Sequence, residues 1–428
     1  MAATIFIIFA LMLIIKVPIS FSLAISSVLS LLLASTTIDI TVVVQRMYTA
    51  SESFSLIAIP FFILAGGLME RGGISNRLVK FASSVVGHIK GGLAMASTVA
   101  AMLFAGMSGS TAADTAAIGS LLIPAMEKKG YGKDMATSVM TCAGAIGIII
   151  PPSIPMIILG VTANVSIGGL FLGGFIPGIL VGVALMITSY ILAKKRNLPS
   201  EPRCSMKEVW NSFIDSILAI MTMVIIIGGI IGGIFTPTEA SVIATAYAFI
   251  IGFFVYKQLK IKDLPRIMVQ TAITTGVVVL CIAAASSLGW ILAAERIPTK
   301  IAQIIFSFST NKYIILVLIN LLMLFMGTFL DVTPIIIILI PIVFPIIMKL
   351  GVSPIHFGIV TIVNMAIGQC TPPVGISLFV STGISKVSLG DMMGTFSRYL
   401  LAMIIVLFLI TFIPWLVTLV PRIVMGIS

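Results

Sequence analysis

The sequence predicts an all-α polytopic membrane protein made of inverted repeats, with two re-entrant hairpins and two broken helices. Three observations carry this expectation. Of 428 residues, 59% are hydrophobic and only 9% charged, and mean hydropathy is +1.23, which leaves too little charge to cover a soluble domain. The same polar pattern, rich in glycine and proline, interrupts the apolar sequence once in each half. The basic residues also divide unevenly between alternate loops.

Apolar runs place helices near 2–15, 17–36, 54–70, 134–165 (broken), 168–193, 211–232, 237–257, 268–294, 354–384 (broken) and 399–421. No basic region or small-residue cleavage site marks the N-terminus, so residues 2–15 are expected as a first helix and not a removed signal peptide. Residues 91–125 and 313–348 fit no single span. Each reads as two halves of about 14 residues, about 21 Å at helical rise against a hydrocarbon core of about 30 Å. A half that cannot cross must turn back, so re-entrant hairpins are expected with tips near Gly106–Asp114 and Gly327–Pro334. Gln258–Arg266, where Leu259, Ile261 and Leu264 alternate with Lys260, Lys262 and Asp263, predicts an interfacial helix.

Threading the chain through these spans sends nineteen of the 25 Lys and Arg residues to one side, among them Arg71, Lys129, Lys195 and Lys262. Arg46, Arg296, Lys300, Lys312, Lys349 and Arg422 fall on the other. The richer side is expected to be cytoplasmic, with both termini outside. Parity then makes the first hairpin dip from the cytoplasm and the second from outside, the inverted topology that encloses one midplane site. The expected organisation is scaffold helices over 1–90, a first transport repeat over 91–165, and scaffold helices with cytoplasmic connectors over 166–294. A second transport repeat follows over 313–384, and then a C-terminal helix over 385–428.

Several function classes fall away. The net charge of +11 forms no continuous basic stripe, so the lipid bilayer, and no nucleic acid, is the expected partner. Cys142, Cys204, Cys281 and Cys370 are too scattered for a disulfide framework or a metal cluster. The sequence holds no phosphate-binding P-loop, which argues against ATP-driven transport. No metal-spaced or nucleophile–base set argues for an intramembrane enzyme, and no continuous polar pore for a channel.

The repeated pattern reads Gly106-Met-Ser-Gly-Ser-Thr-Ala-Ala-Asp114, Ile123-Pro124 and Gly147-Ile-Ile-Ile-Pro151-Pro152 in the first copy. The second reads Met326-Gly-Thr-Phe-Leu-Asp331, Ile340-Pro341 and Gly368-Gln-Cys-Thr-Pro372-Pro373. Aligning Asp114 with Asp331 preserves the distance to Ile-Pro, and Gly147 with Gly368 the distance to Pro-Pro; only the middle differs, by four residues. Duplicated broken helices are the sequence signature of a transporter binding site. A half-helix starting at a tip exposes unpaired N–H groups that suit a carboxylate, while one ending there exposes carbonyls that suit a dehydrated Na⁺. Two Na⁺ sites are therefore expected, one at Ser108, Gly109, Asp114, Gly147 and Pro151, the other at Gly327, Thr328, Asp331, Gly368 and Thr371. Three roles stand open for the two acids: ligating a cation, capping a broken helix, or touching substrate. His88 and His356 read as interfacial anchors, Glu239 and Glu52 as helix caps, and Arg296 as an ion-pair partner or a guide for an anion.

At Gly106–Asp114, Gly147–Pro152, Gly327–Asp331 and Gly368–Pro373, and at Thr236-Pro237-Thr238-Glu239-Ala240, the chain resembles the large membrane subunit of tripartite ATP-independent periplasmic (TRAP) transporters over essentially its full length. The resemblance implies elevator-type transport and scaffold domains in a bacterial inner membrane, driven by a Na⁺ gradient. It implies two partners, a small four-helix membrane subunit, expected here as a separate chain, and a soluble periplasmic substrate-binding protein. The implied substrate is an organic anion, expected as sialic acid, and Ser110, Ser153, Asp331 and Thr333 are the candidate substrate contacts. The rival reading is a stand-alone Na⁺/dicarboxylate elevator carrier without a binding protein.

Overall fold

The computed structural model describes residues 2–33, 39–309 and 311–427, and every regular element among them is helical. Residues 34–36, Met1 and Ser428, on which the expectations for the second span and the termini fall, lie outside the described residues. Helices α1 (Ala2–Ile14) and α2 (Ile19–Leu33) turn at Lys16, whose backbone is left-handed, ahead of Pro18. Buried Ser22, Ser26, Ser27 and Ser30 line one face of α2, each satisfied within the protein. A short helix, α3 (Thr41–Ser51), occupies a stretch predicted as loop, and α4 (Ala58–Arg71) follows a 3-10 turn at Phe54–Ile57. Helix α5 (Ile74–Val86) is amphipathic: Ile74, Leu78 and Ala82 are buried at four-residue steps while Lys80 is exposed.

The first hairpin is α6 (Gly92–Ser108) and α7 (Thr111–Lys128); the first broken span is α8 (Lys133–Gly144), a 3-10 turn at Ala145–Ile148, and α9 (Ile154–Ala163). A 29-residue helix, α10 (Ile167–Lys195), then leads to a polar connection over residues 196–205. Helices α11 (Met206–Ile231) and α12 (Pro237–Ile250) each open with a reciprocal capping box, Ser205 with Glu208 and Thr236 with Glu239. Helix α13 (Leu264–Ala294) is followed by α14 (Ile297–Phe308), the second hairpin of α15 (Lys312–Gly327) and α16 (Val332–Lys349), and the second broken span of α17 (Pro354–Gly368) and α18 (Ile376–Ser385). Helices α19 (Leu389–Phe412) and α20 (Trp415–Met425) complete the chain. Helix α4 packs on α12, and α13 on α2, α3 and α4; the hairpins and broken spans pack on one another through α7, α8, α9, α16 and α18.

Several expectations need correction. The hairpin arms run 16 to 18 residues, longer than the length argument assumed, so length alone does not turn them back. Their tips instead meet the middle of a broken span: a Cβ on Gly109 would lie 2.8 Å from the Pro152 carbonyl, and Val374 N–H donates to the Thr328 carbonyl at 3.1 Å. Residues 258–266 form no separate helix; a 3-10 turn at Ile261–Asp263 runs straight into α13. The last span starts at Leu389, where Ser388 accepts from Asp391 N–H at 3.2 Å, and stops before Pro414, leaving α20 separate. His356 is buried and hydrogen-bonded to the Ile410 carbonyl at 2.8 Å, so it is no interfacial anchor. Glu52 ends α3 and caps no helix start.

The structure also changes the repeat register. Thr111 and Val332, which open α7 and α16, lie 221 residues apart (332 less 111), as do Gly147 and Gly368 (368 less 147). In that register the four-residue discrepancy vanishes. Pro124 matches Pro345, the second proline inside α16, and not Pro341. Asp331, the N-cap of α16, corresponds to Ser110, the N-cap of α7, while Asp114 corresponds to Ile335. The two acids are not mates.

Candidate functional site

The first break is built from α6, α7 and the middle of the α8–α9 span. Gly109 adopts φ +62, and its closeness to the Pro152 carbonyl leaves no room for a side chain, so glycine is required twice over. Ser110 then caps α7, accepting from Ala113 N–H at 3.5 Å, and Ser153 caps α9, accepting from Met156 N–H at 3.4 Å. Two half-helix N-termini thus meet at Gly109, and their exposed N–H groups favour negative charge. Asp114 lies one turn inside α7 and is fully buried. The Ser108 hydroxyl donates to its Oδ1, whereas Oδ2 has no hydrogen-bond partner among the described residues. A Cβ on Gly147 would collide with that oxygen, so the glycine keeps the 3-10 turn close to the carboxylate. Pro151 and Pro152 bring no N–H to this region, which leaves nearby carbonyls without intrahelical donors.

The second break has the same backbone plan and different chemistry. Helix α15 ends at Gly327, and Asp331 caps α16 by accepting from Val332 N–H at 2.7 Å. Its Oδ1 also accepts from Gln369 Nε2 at 2.7 Å. Gly327 and Gly368 touch backbone to backbone: a Cβ on Gly368 would lie 2.7 Å from Gly327 Cα. The Thr328 hydroxyl donates to Phe325 and the Thr371 hydroxyl to Ile367, both carbonyls one turn earlier and both at 2.8 Å. Thr333 occupies the first turn of α16 with its mate at Ala112. The Pro-Pro peptide bonds of both breaks are cis.

A lattice of buried hydroxyls joins the breaks, and sequence reasoning did not find it. Gln369 Oε1 accepts from Thr111, so this one amide spans from the first tip to Asp331 at the second. Thr115 bonds Ser377 at 2.8 Å, Thr141 bonds Ser381 at 2.6 Å, and the Ser377 hydroxyl donates to the Thr141 carbonyl at 2.6 Å. The available signal was Thr111 and Thr115 at a four-residue step inside an otherwise apolar helix face. Among the described residues no three His, Cys, Asp or Glu side chains converge. The donors at the first break are instead a carboxylate, a hydroxyl and backbone oxygens, hard ligands suited to an alkali cation.

Comparison with known proteins agrees with this architecture. A family model described as "Tripartite ATP-independent periplasmic transporter, DctM component" matches residues 6–416. The isethionate TRAP transporter permease protein DctMQ of Oleidesulfovibrio alaskensis is 42% identical over 95% of this chain, which spans 64% of that protein's length. The C4-dicarboxylate large permease DctM of Vibrio cholerae is 40% identical, covering 99% of this chain and 98% of the relative. The sialic acid large permease SiaM of the same organism is 39% identical over 96% of each. Among solved structures, the YdaH transporter of Alcanivorax borkumensis, described as having an unusual topology, matches with a TM-score of 0.61 at 15% identity, covering 88% of this chain and 87% of that one. The chain belongs to the DctM family, the large permease component of tripartite ATP-independent periplasmic transporters, and is a transport protein and not an enzyme.

Proposed function

We propose that this chain imports an organic anion across a bacterial inner membrane by Na⁺-coupled elevator transport, with its N-terminus outside. In this reading it accepts the anion from a periplasmic binding protein and works beside a small membrane subunit. The observation that carries it is the orphaned Oδ2 of fully buried Asp114 beside Gly147. An unpaired carboxylate costs several kcal/mol in such surroundings, and a dehydrated cation held with Ser108 and the Gly147–Pro151 carbonyls offsets that cost. The converging N-termini of α7 and α9, capped by Ser110 and Ser153, favour the carboxylate or sulfonate of the substrate. The named relatives carry isethionate, C4-dicarboxylates or sialic acid, all small organic anions, and identities of 42%, 40% and 39% do not rank them. Sialic acid heads the panel to be tried.

Uptake into proteoliposomes tests the proposal, using this chain with its small subunit and binding protein and a panel of these three anions. Accumulation should require an inward Na⁺ gradient and proceed without ATP. Full-rate uptake with K⁺ in place of Na⁺ would overturn the coupling; undiminished uptake without the binding protein would favour the stand-alone carrier.

A further inference from the structure

A recess of about 450 Å³ opens between α3 and α13 on one wall and α9 and α16 on the other. It lies apart from both breaks. None of Ser108, Asp114, Asp331 or Gln369 lines it, and neither does Arg296, the sequence-based candidate for guiding an anion. Its one charged lining residue is Arg46 of α3, whose guanidinium carbon sits 5.0 Å from the centroid of the Trp290 ring. Among the described residues no carboxylate comes within ion-pair distance of Arg46. Ser53, Thr162 and Ser286 also line the recess, and their hydroxyls make no hydrogen bond among the described residues. Ala50, Ala285 and Gly289 supply the space.

We propose that this recess is an anion-binding vestibule, in which Arg46 holds the carboxylate or sulfonate of an organic anion ahead of the two breaks. A guanidinium fork matches the two oxygens of such a group, and the Trp290 face holds the fork in place without neutralising it. The free hydroxyls then meet the polar body of the ligand. Because the two walls belong to different helix groups, an occupant bridges them, and its binding depends on how those groups sit against each other. The inference rests on the proposed import of an organic anion, but its test needs neither a gradient nor turnover.

That test uses the detergent-solubilised full chain with exposed Cys204 changed to Ser; Cys142, Cys281 and Cys370 are buried. A Ser53→Cys reporter is modified with anionic and with cationic methanethiosulfonate reagents. With Arg46 present the anionic reagent should react faster relative to the cationic one, and Arg46→Gln should cut that ratio about tenfold. Isethionate, succinate and sialic acid should each slow modification, mannitol should not, and protection should vanish in Arg46→Gln. Arg46→Lys should keep the reagent preference and lose most of the protection, because it retains charge but not the fork; this arm decides should Arg46→Gln fold poorly. No anionic preference in the Arg46 protein, or equal protection with and without the guanidinium, would overturn the vestibule and leave the transport reading standing. Failed uptake together with intact protection would do the reverse.

Discussion

Asp114 and Asp331 look alike in the sequence and differ in what surrounds them. Asp331 is a helix cap at an exposed tip whose Oδ1 accepts from Val332 and Gln369, and asparagine caps a helix as well as aspartate does. Asp114 is fully buried with one oxygen unsatisfied. Asp114→Asn is therefore expected to raise the Na⁺ concentration for half-maximal uptake at least about tenfold, about 1.4 kcal/mol, while Asp331→Asn shifts it less than about threefold. Na⁺ titrations of uptake by the two folded variants check this; equal losses would mean that the capping aspartate also ligates. What the sequence made legible at this scale was the set of backbone breakers. Gly147, Pro151, Pro152, Gly368, Pro372 and Pro373 all fall where the spans interrupt, because glycine and proline act through local backbone geometry. Partner identity was not legible. Thr115 meets Ser377 and Thr111 meets Gln369 across the whole molecule, and nothing local in either segment encodes the other.

At the scale of elements, the crossing of Gly327 and Gly368 sets how closely the second hairpin approaches its broken span. The obstacle to a Cβ on Gly368 is backbone, which cannot rotate away. Gly368→Ala should cost about 1–3 kcal/mol in overpacking and lower the melting temperature in detergent. Gly276→Ala, within α13 and with nothing within 4 Å of the added carbon, should leave it unchanged or slightly higher. Similar melting temperatures for the two variants would show that the tip moves aside freely. The short helices α3, α5 and α14 escaped the span list because hydropathy over a membrane-length window registers neither 11-residue nor amphipathic elements. The repeat register was misread for a different reason. Helix α16 contains two prolines, and local pattern matched Pro124 to the nearer one, Pro341.

For the whole molecule, the parity of crossings fixes which loops share a side. Lys262, before α13, and Lys312, at the start of α15, are both exposed and separated by one span. Single cysteines at these positions, in the Cys204→Ser background, should react with an impermeant reagent from opposite sides of right-side-out vesicles, Lys312→Cys from outside and Lys262→Cys only after permeabilisation. Labelling of both from one side would dismantle the inverted threading. The register of the halves has a further consequence. A backbone that repeats with a constant step offers two end states of matching geometry, each obtained by exchanging the roles of the halves. Fixed charge is not exchanged with them, since Asp114 faces an isoleucine across the pseudo-symmetry and Asp331 a serine. Under the proposed elevator the two end states then cannot be equal in energy, and occupation of the Asp114 site tilts the balance between them. Symmetry supplies the two positions, the unmatched acid makes their balance depend on the bound ion, and the ion gradient alone sets the direction of the proposed cycle.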